Sequence, residues 1–158
     1  MNIKRIVEME VEKNQLMVGD KIQIEGCQWK VLEIKDGKAL IWKCTKIKNH
    51  VFNEDGSNIY EGSDIQKYVR SEFWLPDEML KLVDGDFFLL TVDQILEYKP
   101  DELDRIATDE DDRTTWYWTA SPRVGYGSHV RLIYPAGVVN YNYADSSFGV
   151  APACWINL

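Results

Sequence analysis

The alternation of apolar and polar positions predicts strands along the first third of the chain. KIQIEG (21–26) alternates, QWKVLEI (28–34) follows, Asp36-Gly37 supplies a two-residue hairpin turn, and KALIWKCT (38–45) returns. Trp29, Val31 and Leu32 set against Lys30, Glu33 and Lys35 suit a sheet with one face in water. Residues 53–58 (NEDGSN) read as a turn. Aligned as a calcium loop on Gly56, they would put Val51 and Gly62 at the first and last ligand positions.

The period then changes. Ser63-Asp64-Ile65-Gln66 predicts a capping box and a helix with Ile65, Tyr68, Val69 and Phe73 on one face. Pro76-Asp77-Glu78 starts a second helix through Met79, Leu80 and Leu82. Asp86-Phe87-Phe88-Leu89-Leu90 reads as a short buried strand. Thr91-Val92-Asp93-Gln94 is a second capping box, opening a helix through Ile95, Leu96 and Tyr98. Residues 100–113 (PDELDRIATDEDDR) are expected to be a mobile run of solvated charge. Strands return as TWYWT, HVRLIY, a Pro135-Ala136-Gly137 turn, VVNYNY and VAPACWINL. The order predicts an α+β fold with two or more helices between N- and C-terminal strand groups, in one domain over 1–158.

Charge narrows the partners. Net charge is −8. Residues 1–50 sum to +3, residues 51–113 to −12, and residues 114–158 hold only Arg123, Arg131 and Asp145. An acidic chain without a basic stripe argues against nucleic acid, since phosphate neutralisation supplies most non-specific affinity. No apolar run approaches the ~18 residues of a membrane span. The N-terminal twenty residues alternate charge with apolar side chains and lack a signal-peptide segment, so neither export by that route nor membrane insertion is expected.

Catalytic signatures are missing. His50 and His129 sit in no metal-binding pattern, Ser121 in no nucleophile elbow, and Gly125-Tyr126-Gly127 in no phosphate loop. Cys27, Cys44 and Cys154 form no C-x-x-C pair and read as buried thiols. No enzyme activity, metal or cofactor is expected.

The tail from 114 carries another kind of chemistry. It holds nine aromatics, and between Ser121 and Gly149 ten of twenty-nine residues are Ser, Gly or Asn. Tyrosine offers wide amphipathic contact at low entropy cost, and the small polar residues offer adaptable hydrogen bonds, as in antibody paratopes. The same composition also fits tyrosines and asparagines that decorate the polar side of an antiparallel sheet. In VVNYNY the alternation puts Asn140 and Asn142 on one face and Tyr141 and Tyr143 on the other, so at least one pair is exposed.

YWTASP followed by the terminal G-V-x-P-A-x-W-I-N-L is similar to C-type-lectin-fold domains that end in WWLRSP…GVRPALWLNL. The hairpin Gly26-Cys27-Gln28-Trp29-Lys30-Val31-Leu32, the Ser63 helix start and DFFLLT agree with it, so the likeness runs from about Gly19 to Leu158. WTASP stands where W-L-R-S-P is commoner, and Ala151 where GVRPA has Arg, so two charges of the pattern are missing. The family includes uncharacterised domains of gut bacteria and their phages, and the variable proteins of diversity-generating retroelements.

The resemblance implies a C-type-lectin-like fold whose region 114–158 is diversified to bind a protein or cell-surface ligand. In those systems template adenines are mutated, so Asn codons scatter to many residue types. Residues 130–150 resemble a diversified copy of an Asn-rich template. The diversified, ligand-binding positions would be Arg131, Tyr134, Ala136, Val138, Asn140, Tyr141, Asn142, Tyr143, Asp145, Ser146 and Phe148, with Tyr126, Ser128 and His129 upstream. Val139, Ala144, Ser147, Gly149 and VAPACWINL would be framework, and Trp116, Trp118 and Trp155 packing anchors. The resemblance also admits a homo-oligomer or larger display assembly, in a phage virion or in the cytoplasm before assembly. The alternative is a fixed structural or assembly domain of the same fold, its tyrosines facing a subunit. The reactive cysteine pair of the related formylglycine-generating oxidases and the calcium motifs of sugar-binding lectins are both absent.

Overall fold

The first long hairpin forms where its turn chemistry demands. In the computed structural model, Asp36 and Gly37 both have positive φ (53° and 73°), the backbone of a tight two-residue turn. The turn joins β4 (Cys27–Lys35) to β5 (Lys38–Lys43). The structure describes residues 2–5 and 10–158, with side chains from Glu12 onward, so part of the charged N-terminal alternation lies outside the described residues. With β1 (Asn2–Arg5), β2 (Glu10–Glu12), β3 (Lys21–Ile24), β7 (Val83–Leu89) and β14 (Pro152–Asn157), these strands make a seven-stranded sheet ordered β2-β1-β3-β4-β5-β14-β7. Its described pairings are antiparallel, so the final strand closes against both the first hairpin and β7. The fold is mixed α+β and mostly antiparallel.

Alternation along the central strands feeds two cores. Trp29, Val31, Ala39, Ile41, Leu89, Cys154 and Ile156 point to one side, where α1 (Asp64–Ser71) and α2 (Asp77–Leu80) add Ile65, Val69 and Met79. Leu32, Leu40, Trp42 and Ala153 point to the other, where α3 (Val92–Tyr98) adds Ile95. The expected wet face is therefore covered. Lys30 is only 8% exposed: its Nζ lies over the Trp42 ring, 5.9 Å from the centre, and donates to the Asp104 carbonyl at 2.9 Å.

Local capping decides the helix starts. Ser63 Oγ accepts from Gln66 N, and the Gln66 side chain accepts from Gly62 N rather than closing the box on Ser63. Thr91 and Gln94 form a complete box. Pro76 takes the N-cap position of α2, which lasts a single turn. Phe73 falls beyond the end of α1 and is 85% exposed, so it does not join the helix face assigned to it.

Residues 100–113 are ordered, against the expectation of a mobile run. Arg105 is buried and donates to the carbonyls of Lys99, Pro100 and Gly137, while its own carbonyl accepts from the Tyr117 hydroxyl. Around it lie a 3-10 turn (Glu102–Arg105), β8 (Ala107–Thr108) and β9 (Thr114–Thr115), the last two paired with each other. Gly137 has φ +85°, and a Cβ there would stand 2.0 Å from the Glu102 carbonyl oxygen, so this clasp admits only glycine.

A second sheet, ordered β12-β11-β10-β13-β6, carries the tail: β12 (Val139–Tyr143), β11 (His129–Ile133), β10 (Tyr117–Pro122), β13 (Ser147–Gly149) and β6 (Asn49–Val51). Trp118, Val130 and Leu132 enter the first core, and Tyr117 and Ile133 the second. Among the described residues no helix is long and apolar enough to cross a membrane.

Candidate binding surface

The outer side of the second sheet is set by register. Arg131 pairs with Tyr141 and His129 with Tyr143, whereas Val130 pairs with Asn142 and Leu132 with Asn140. Cross-strand partners share a face. Val130 and Leu132 are fully buried, so Arg131, His129, Tyr141 and Tyr143 project outward together.

Arg123 organises this face. Its guanidinium carbon lies 3.8 Å from the centre of the Tyr126 ring and 3.4 Å from that of Tyr141. His129 stacks nearly parallel to the same rings at 5.6 and 5.5 Å, and Arg123 Nη1 meets His129 Nδ1 at 3.2 Å. These spacings describe two tyrosine rings closed over a layer that holds guanidinium and imidazole side by side. Arginine can only donate, so Nδ1 is the acceptor in this contact. Tyr143 meets His129 edge-on at 4.4 Å. Tyr126, Tyr141 and Tyr143 remain 51%, 42% and 57% exposed.

A buried asparagine holds the loop that carries this cluster. Asn58, 8% exposed, donates from Nδ2 to the carbonyls of Tyr126 (2.9 Å) and His129 (3.1 Å), and its backbone N–H bonds Gly127 O. The loop also closes on itself, through Arg123 N to His129 O, Tyr126 N to Arg123 O, and His129 N to Tyr126 O. Sequence reasoning found neither Asn58, which read as a turn residue, nor Arg123, which entered only the charge count. As one of three charges in the last forty-five residues, Arg123 did carry a signal. Asn58 carried none.

β12 is an edge strand of its sheet. Tyr134 N to Val138 O and Ala144 N to Ser128 O fix the phase of its ladder, so the N–H groups of Tyr141 and Tyr143 point away from β11. Each is taken by the preceding side chain: Tyr141 N donates to Asn140 Oδ1 at 2.9 Å, and Tyr143 N to Asn142 Oδ1 at 2.8 Å. The two half-buried asparagines thus close donors that an edge strand would otherwise offer to another chain.

None of the fourteen positions read as ligand-binding is buried, but they do not share one face. Tyr126, His129, Arg131, Tyr141 and Tyr143 gather around Arg123. Tyr134 and Phe148 lie elsewhere, grouped with Trp116 at 6.3 and 6.1 Å, and Phe148 also packs edge-on against Trp118 at 5.1 Å. Ala136 and Val138 are exposed around the Gly137 turn, Ser128 is exposed in the Arg123 loop, and Asp145 and Ser146 occupy the turn after β12. Among the framework positions Ala144 and Gly149 are buried and Val139 half-buried, but Ser147 is exposed.

Two readings of single residues need correction. Trp116 is not a core anchor: it precedes β10 and is 41% exposed, leaning on Tyr134 and Phe148, whereas Trp118 is buried and Trp155 half-buried. Cys27 is half-buried, in a groove with Glu25, Tyr68 and Trp74. Cys44 and Cys154 are buried, and burial pushes the Cys154 thiol up to about 12 and raises that of Cys44. Neither thiol is thereby activated as a nucleophile.

Residues 88–158 match the model of a domain of unknown function, DUF6273. The match begins within β7 and takes in every strand of the tail. No curated protein and no solved structure matches the chain.

Proposed function

We propose that the chain is a ligand-binding protein of C-type-lectin-like fold, which presents a diversified surface on a fixed scaffold to a protein or cell-surface target. One observation carries the reading. The side chains assigned to diversification all reach solvent, while Val130, Leu132, Ala144 and Val150, which alternate with them or flank them, are completely buried. Such an arrangement lets the exposed side chains change identity without altering the core, whereas Tyr134 and Phe148 also pack against it. Tyr126, Tyr141 and Tyr143 around Arg123 are the anchors, since Tyr, Trp and Arg dominate measured hot spots. The face works by recognition and not by catalysis, and it calls on no cofactor, nucleic acid or membrane insertion.

The nucleotide sequence of the gene and its flanks tests this. The reading expects each diversified position to carry a codon reachable from an Asn codon by changing adenines, beside a reverse-transcriptase gene and an Asn-rich template repeat. Codons outside that set, with no repeat nearby, would leave the fixed assembly domain as the better account.

A further inference from the structure

The Arg123 cluster has a recognition chemistry of its own. Both faces of the guanidinium are covered by tyrosine rings and Nη1 is turned to His129, so only its remaining edge is free to meet a ligand. Among the described residues, nothing accepts from Nε or Nη2, and no carboxylate pairs with Arg123. Arg131 projects from the same face, opposite Tyr141. The tail carries +1 while residues 1–113 sum to −9, so this surface attracts anions that the rest of the chain repels.

The geometry points to a carboxylate-binding subsite, in which the free Nε–Nη2 edge of Arg123 takes a carboxylate of the ligand beside the Tyr126 and Tyr141 rings. It rests on reading this face as a ligand-binding surface. The guanidinium fork matches two carboxylate oxygens in one plane. The flanking ring centres, 3.4 and 3.8 Å from the guanidinium carbon, hold its plane, so the two free donors face a ligand in one fixed plane. A planar carboxylate places both oxygens in that plane, and a neutral amide forfeits the charge-assisted pair. His129 and Asn58 are positioning residues, the first through Nη1 and the second through the loop.

The test is an NMR titration of the whole, isotope-labelled chain at constant ionic strength, following the Arg123 Nε–Hε signal and the Tyr126 and Tyr141 ring protons. Acetate should produce a saturating shift, inorganic phosphate a weaker one and acetamide none. Arg123→Gln should abolish the acetate response, with Lys67→Gln, an exposed cation on α1 away from this face, as the companion variant that leaves it saturable. Ac-Gly-Glu-Gly-NH2 and glucuronate carry the same carboxylate on a peptide and on a sugar. Saturation by either supports the subsite, and the stronger names the source. A linear response to acetate, or phosphate acting as strongly, would overturn the proposal. The anion is used alone, so a flat titration leaves the diversified face standing, and an invariant tail leaves a saturating titration standing.

Discussion

Asn58→Ala isolates the loop's attachment to the scaffold. The substitution removes the Nδ2 bonds to Tyr126 O and His129 O but leaves the backbone bond to Gly127 O. The third approach, to Arg123 O at 3.5 Å, is too long to count. All three carbonyls keep a main-chain donor within the loop, so none is orphaned. The loss is then two hydrogen bonds at about 1 kcal/mol each, roughly 2 kcal/mol in all. For a chain of this size that lowers Tm by about 4–8 °C. Asn58→Asp sharpens the test, because it keeps the shape but turns an acceptor toward two carbonyls. By calorimetry Asp should lower Tm more than Ala, and in both variants the Tyr126 and His129 ring signals should move toward those of exposed residues. An Asp variant as stable as the parent, or milder than Ala, would refute the assignment of Nδ2 as the donor that holds this loop.

Three other outcomes follow from single features. Replacing Asn140 and Asn142 together by Val frees the edge donors of β12, so light scattering should show larger species than the parent gives at equal concentration; the double Asp variant keeps the acceptors and should match the parent. Gly137→Ala forces a Cβ onto the Glu102 carbonyl at positive φ and should destabilise by roughly 3 kcal/mol in denaturant melts; an unchanged midpoint would contradict the clasp. Burial raises the Cys154 thiol from 9.0 to about 12 and raises Cys44 and Tyr117 as well, so the folded chain holds these protons longer than the unfolded one. For Cys154 this contribution is complete below pH 9 and is lost as pH climbs from 9 toward 12, by up to about 1.4 kcal/mol per unit. Cys154→Ala should make the alkaline fall of Tm shallower, and an identical slope would count against the burial argument.

What could be read from the sequence was what is decided locally. The turn at Asp36-Gly37, the Thr91–Gln94 box and the alternation of VVNYNY each depend on residues within a few positions, and each formed where expected. Long-range contacts overrode the rest. Residues 100–113 look like solvated charge, yet Arg105 ties them down through carbonyls up to 32 positions away. Lys30 looks like a wet-face lysine, yet it is drawn in by Trp42 and by a carbonyl 74 residues on. The face around Arg123 was half legible. Composition marked its tyrosines, but Asn58 reaches them from 68 and 71 residues away, where no spacing rule applies. The division of the fourteen positions between two faces depends on β10 and β13 lying side by side, which no local pattern encodes.

Deep sequencing of the gene's 3′ end across many cells or phage of one population tests the central claim most directly. The account predicts substitutions concentrated at the exposed positions from Tyr126 to Phe148, Tyr141 and Tyr143 above all, while Asn58, Ala144 and the VAPACWINL strand stay constant. An invariant tail, or changes spread evenly over all 158 residues, would contradict it and leave the tyrosine face as a fixed interface.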